Sequence, residues 1–148
     1  MILGLLLCAA ALQALVMLVD EGYFHRRRGL PRWERLGHPL DTLSVAVCYG
    51  WLSLASPTRT SSLWVYAGLA AFSCLFVTKD EVVHARVCTR AECWLHAVLF
   101  LLHPVVLAGF AYAWLHGDVW LVRIQLALTL GLGAYQVVYW NFRSQVRA

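Results

Sequence analysis

Long apolar runs alternate with short polar breaks along this chain, and five of the runs, at about 2–20, 40–56, 62–79, 93–115 and 118–140, approach the length of a membrane-spanning helix. A span needs about 20 mostly apolar residues to cross a hydrocarbon layer of about 30 Å. The pattern predicts an all-α integral membrane bundle, a single transmembrane domain over residues 1–148. The first run has no basic residue ahead of it and no clear small-residue cleavage site, so a retained span is expected rather than a removable signal peptide. Composition agrees, since 61% of residues are hydrophobic and only 14% charged, far from an ordinary soluble domain.

Basic residues set the expected orientation, because Lys- and Arg-rich connections tend to stay cytoplasmic. Arg26, Arg27, Arg28, Arg32 and Arg35 follow the first run, Lys79, Arg86 and Arg90 flank the break after the third, and Arg143 and Arg147 follow the fifth. This predicts an outside amino terminus and a cytoplasmic carboxyl terminus, with a bacterial inner membrane as the expected location. A basic rim facing anionic headgroups accounts for the net charge of +4. Membrane lipids are thus expected partners and nucleic acid is not.

The polar breaks contain an internal repeat. In "DEGYFHRRRGLPRWERLGH" (20–38) and "DEVVHARVCTRAECWLH" (80–96) the same order occurs twice: Asp-Glu, histidine, a basic turn, glutamate, then histidine four residues on. Glu21 and His25 are four apart, Glu81 and His84 three apart, and Glu34/His38 and Glu92/His96 four apart. Positions three or four apart share a helix face, so each pair can aim at a common point. The repeat predicts two helical hairpins, 1–56 and 62–116, packed as a four-helix bundle, with an extra helix over 118–142 added outside it. Pro39 fits either the first turn of span two, which leaves Glu34 in a loop, or the interior of a helix that begins near Pro31.

Six of the eight acidic residues and four of the six histidines lie within the two copies. A carboxylate at membrane depth costs on the order of 2.5–3.5 kcal/mol on insertion scales, so the cluster requires positive charge among its members. Glu21, His25, Glu34, His38, Glu81, His84, Glu92 and His96 form a suitable ligand set for two divalent ions. Imidazole and carboxylate suit Fe(II), Mn(II) and Zn(II), and the expected metal is iron, with zinc or manganese as alternatives. Asp20 and Asp80 point about 100° away from their glutamate neighbours on a helix and are expected to orient the ligating histidines. Asp41 is a further ligand, an orienting partner or a water contact. His103, seven residues past His96, lines a cavity and relays protons, or is a histidine hydrogen-bonded within the bundle. Salt bridges from Asp20, Glu21, Asp80 and Glu81 to Arg26, Arg27, Arg28, Arg86 and Arg90 are the plain alternative.

These segments resemble membrane-embedded di-iron enzymes, such as histidine-box fatty-acid desaturases and hydroxylases, and ferritin-like di-iron bundles. The resemblance rests on Glu81-Val82-Val83-His84, the Glu-x-x-His spacing, and on the further glutamates. It covers only the two motif segments, and the HxxxH and HxxHH boxes of desaturases are absent. The resemblance implies a metal-dependent oxidoreductase that acts on a lipid-soluble substrate with help from an electron-donor protein. A zinc hydrolase of a lipid, a non-enzymatic metal binder or transporter, and bis-histidine haem ligation stand as alternatives. The five cysteines form no disulfide framework, and Cys88 and Cys93 are expected to pack, with a redox or ligand role as the alternative. His116 is expected to be a solvated loop residue, and the tryptophans to form an interfacial belt.

Overall fold

The structure, a computed structural model, describes residues 1–143, so Arg147 lies outside the described residues. The described residues form five helices and no strand: α1 (Ile2–Arg28), α2 (Arg32–Leu54), α3 (Thr60–Val87), α4 (Arg90–Leu115) and α5 (Val119–Phe142). Four of them, α1, α3, α4 and α5, are long and apolar enough to cross a membrane. The five apolar runs therefore become five helices, and α2 is the exception in composition.

The reason lies in how α2 packs. It contacts chiefly α5 and α3, while α1 contacts chiefly α4. Its buried positions include Glu34, Thr42, Cys48, Tyr49 and Leu52, whereas Leu36, Leu40, Leu43, Val47 and Leu54 repeat at helical spacing on its exposed side. The polar side chains of its first half thus turn inward while Tyr49 and Leu52 farther along join the core, and the exposed side from Leu36 onward is apolar, unlike a helix on a water-soluble protein.

The fifth helix differs from the expected outside position. Its extensive packing on α2 makes it a wall of the bundle, and its polar residues Thr129 and Gln136 are buried there. Pro39 lies inside α2, which starts after Pro31, so Glu34 is helical. Because Pro39 has no N–H to give the carbonyl of Arg35, that carbonyl accepts instead from Asn141 Nδ2 of α5 at 3.4 Å.

The bundle has two unlike ends. At one, Leu6, Tyr49, Leu52, Val106, Phe110, Trp114 and Val122 form a continuous apolar core. Gly109 keeps α1 and α4 close there, since a Cβ at this position would collide with Leu6. At the other end α1 and α3 run past their apolar stretches, to Arg28 and Val87, and carry the charged motifs as helix. This extension is possible because the polar side chains face protein, which lets the helices continue beyond the expected turns.

Candidate metal centre

The winding of the backbone decides which motif residue faces inward. In the first copy, Asp20–His25 form a π-turn, a wider coil produced by one extra residue in an α-helix. Asp20, Glu21 and His25 are all buried as a result. In the second copy, Val77–Asp80 wind as a tighter 3-10 turn before Glu81–Val87 resume the α-helix. Asp80 is then 1% exposed, while Glu81 is an exposed residue. The spacing difference in the sequence, four residues from Glu21 to His25 against three from Glu81 to His84, is the extra residue that the π-turn absorbs.

Four imidazoles close a ring. Their centroids lie 4.8 Å apart for His25 and His38, 6.2 Å for His38 and His84, 4.2 Å for His84 and His96, and 6.4 Å for His25 and His96. The two distances within a copy are the short ones and the two between copies the long ones. Six of the eight ring nitrogens are buried without a hydrogen-bond partner: both of His25, both of His84, Nε2 of His38 and Nδ1 of His96. Three of them face a carboxylate oxygen, His25 Nε2 at 3.2 Å, His25 Nδ1 at 3.5 Å and His84 Nε2 at 3.9 Å, and leaving a buried polar group unsatisfied costs about 1–3 kcal/mol.

Carboxylates surround the ring. Asp20 Oδ2 lies 3.2 Å from both His25 Nε2 and His96 Nε2, and so joins the two copies. Asp20, His25, Glu92 and His96, all buried, offer donor atoms within 4.8 Å of one another, as do His25, Glu34 and His38, and also His38, Asp41 and Asp80. His84 Nε2 stands 3.9 Å from Glu34 Oε1. One candidate position thus draws on Asp20 and His25 of α1 with Glu92 and His96 of α4. The group His38, Asp41 and Asp80 likewise joins α2 to α3, one helix from each hairpin, whereas His25, Glu34 and His38 lie within the first hairpin.

Two side-chain cations flank this layer. Arg28 Nη2 donates to Glu34 at 2.8 Å and to Glu92 at 2.9 Å, and Lys79 bridges Asp41 at 2.6 Å and Asp80 at 2.9 Å. Arg28 thus pairs with Glu34 and Glu92 rather than with the expected Asp20, Glu21, Asp80 or Glu81. Glu92 is also committed to its own helix, because its Oε2 accepts from the Thr89 backbone while Thr89 Oγ1 accepts from the Glu92 N–H. Six carboxylates (Asp20, Glu21, Glu34, Asp41, Asp80, Glu92) thus stand in this layer with two side-chain cations, Arg28 and Lys79.

Several residues take roles other than those expected. Glu21 accepts from Gln136 Nε2, and from Trp140 Nε1 at 2.8 Å, while its Oε2 sits 3.5 Å from His25 Nδ1. It orients His25, and Asp20 occupies the inner position. Glu81 stands away from the ring, and Asp80 takes the inward place, held by Trp33 Nε1 at 2.7 Å and by Lys79. Asp41 is an ion-pair partner of Lys79. His103 is both a cavity residue and hydrogen-bonded, with Nε2 3.1 Å from Ser73 Oγ.

All five cysteines are free, with Cys48 in the core, and Cys88 approaches His84 and His96 within the same 4.8 Å limit. Burial, reinforced by the Glu92 carboxylate, pushes the Cys88 thiol above its ordinary value, so the imidazoles and carboxylates are the readier donors. His116 is exposed and stacks on Tyr112.

Beneath the ring is a cavity of about 340 Å³, lined by Asp20, His38, Asp80, His84 and His96 at one end and by mainly apolar side chains beyond. Leu18 and Leu128 line it while remaining 65% and 64% exposed, which marks a lateral opening between α1 and α5 onto the apolar surface. The contribution of α5, through Gln136, Trp140 and the cavity wall, was not anticipated. The signal was available: Gln125, Thr129 and Gln136 are polar residues within an apolar run. No family model matches this chain, and no curated protein or solved structure matches it either.

Proposed function

We propose that this chain is a membrane-embedded di-metal oxidoreductase, di-iron in its working form, that acts on a lipid-soluble substrate. The observation that supports it is a closed ring of four histidines with unpartnered nitrogens, set among carboxylates at the end of an apolar cavity that opens sideways. Asp20, His25, Glu92 and His96 would hold one ion, and Asp80, His84, Glu34 and His38 the other. An iron pair held there supplies one-electron and oxygen chemistry, with dioxygen as oxidant and an electron-donor protein completing the electron count.

The chain's own residues perform the remaining tasks. Glu21 fixes the ring of His25, and the Gln136 and Trp140 donors fix Glu21 in turn, the kind of outer support whose loss commonly costs about 10–100-fold in metal affinity. Arg28 and Lys79 hold carboxylate charge in place at the polar end. The apolar walls exclude water from the reacting carbon and align an alkyl chain with the ring. The basic residues at the motif-bearing end agree with a cytoplasmic placement of the centre.

Anaerobic, reducing purification followed by elemental analysis tests this reading. It expects two iron ions per chain and oxygen uptake on exposure to air. Zinc retained through cycles of oxidation and reduction would point instead to a hydrolase, and the absence of stoichiometric metal would remove the proposal.

A further inference from the structure

The cavity contains a second polar layer. Gln13 precedes Asp20 by seven residues on α1, Ser73 precedes Asp80 by seven on α3, His103 follows His96 by seven on α4, and Thr129 precedes Gln136 by seven on α5. Seven residues make two helical turns, about 10 Å along the axis. Four helices thus place hydrogen-bonding side chains at one depth, about 10 Å from the histidine ring. Gln13, His103 and Thr129 line the cavity, as does Gln125.

The hydrogen bonds fix the polarity of this layer. Ser44 Oγ donates to the Asp41 carbonyl at 2.7 Å and has no second proton, so Ser73 Oγ donates to Ser44 at 2.8 Å. Ser73, its proton spent, accepts from His103 Nε2 at 3.1 Å. His103 therefore carries its proton on Nε2, and Nδ1 is an acceptor. Gln13 Oε1, a second acceptor, is buried without a partner. The Thr129 hydroxyl is spent on the Gln125 carbonyl at 2.8 Å. Among the described residues, His103 is the one ionisable side chain that lines the cavity at this depth, and no Asp, Glu, Lys or Arg stands there to pair a charged ligand group.

We propose that this layer binds the hydroxyl of an uncharged, lipid-like alcohol, with the alkyl chain along Ala14, Leu99, Phe100 and Leu132. As the class of substrate this rests on the oxidoreductase reading; as a binding site it does not, because no residue of the layer belongs to the proposed metal ligands. The hydroxyl then sets which carbon, about 10 Å away, reaches the ring.

The test uses the full chain in phosphatidylcholine nanodiscs, photolabelled with a diazirine-bearing decanol, with decanol, decane and decanoate as competitors. Decanol should compete at a concentration at least about tenfold lower than either of the others, and labelled peptides should map to α1, α4 and α5. His103→Phe and Gln13→Leu should each remove that advantage while leaving the bound metal unchanged. Gln13, on another helix, answers the case in which the His103 variant does not fold. Equal competition by decane or decanoate, or an undiminished preference in both variants, overturns the proposal. The same measurements after chelation separate the two readings: an alcohol preference in a chain that never binds metal sinks the metal centre alone, and bound metal without the preference sinks this site alone.

Discussion

The two copies of the Asp-Glu…His…Glu…His motif have the same order of residues and different wiring. In the first, the π-turn at Asp20–His25 buries both acids, and Glu21 is tied to α5 through Gln136 and Trp140. In the second, a 3-10 turn turns Asp80 inward and Glu81 outward, and Asp80 is tied to Trp33 of the other hairpin and to Lys79. The difference teaches that a repeated order of residue types does not by itself repeat their roles. One residue of spacing changes the coil, and the coil chooses the inward carboxylate.

The largest effect that can break this comparison comes from His25, which shares donor groups with Asp20, Glu92 and His96 and also with Glu34 and His38. His25→Ala should weaken the metal it shares with Asp20, Glu92 and His96 by more than about 100-fold, beyond the 10–100-fold typical of outer contacts, measured by competitive titration with a metal-binding dye. Next comes the second-copy contrast. Asp80→Asn should cost about tenfold or more in metal affinity in the same assay, whereas Glu81→Gln should change it less than about twofold. A reversed ranking would restore Glu81 as the inward group.

In the first copy, Gln136→Leu removes the donor to Glu21 and leaves Thr42 without its partner. A loss of about tenfold in metal affinity is expected, with no such loss from substituting the exposed Arg86 at the second copy. The smallest effect concerns stability. A Cβ at Gly37 would stand 3.0 Å from Asp80 Oδ2 and 3.4 Å from Lys79 Nζ. Gly37→Ala should therefore push the Asp80 carboxylate by a few tenths of an ångström, offsetting a gain of about 1 kcal/mol in helix propensity, so the stability read from chemical unfolding should stay within about 1 kcal/mol of the parent.

The five helices were legible in the sequence because apolar length is a strong signal, and the repeat located the four histidines that close the ring. The roles of the acids were not legible in the same way. The argument that neighbours point about 100° apart holds for a regular α-helix, and both motifs depart from one. A regular helix makes Glu81 the ligand and Asp20 and Asp80 the residues that orient the histidines, although the unequal Glu–His spacing carries the extra residue. The part played by α5 is carried by neutral side chains, which a pattern of ionisable groups does not mark. Gln136 is neutral, and its function depends on tertiary contact with Thr42 and Glu21, 94 and 115 residues away in sequence.

The central claim is that each metal is held by one helix from each hairpin. Metal stoichiometry in a pair of double variants tests it most directly. Asp20→Ala and His96→Ala, in different copies, should each lower bound iron from two per chain to one, and the two together should still leave one. Asp20→Ala with His38→Ala, both in the first hairpin, should leave none. If the first pair abolishes binding while the second retains one ion, each hairpin holds its own metal and the account is contradicted.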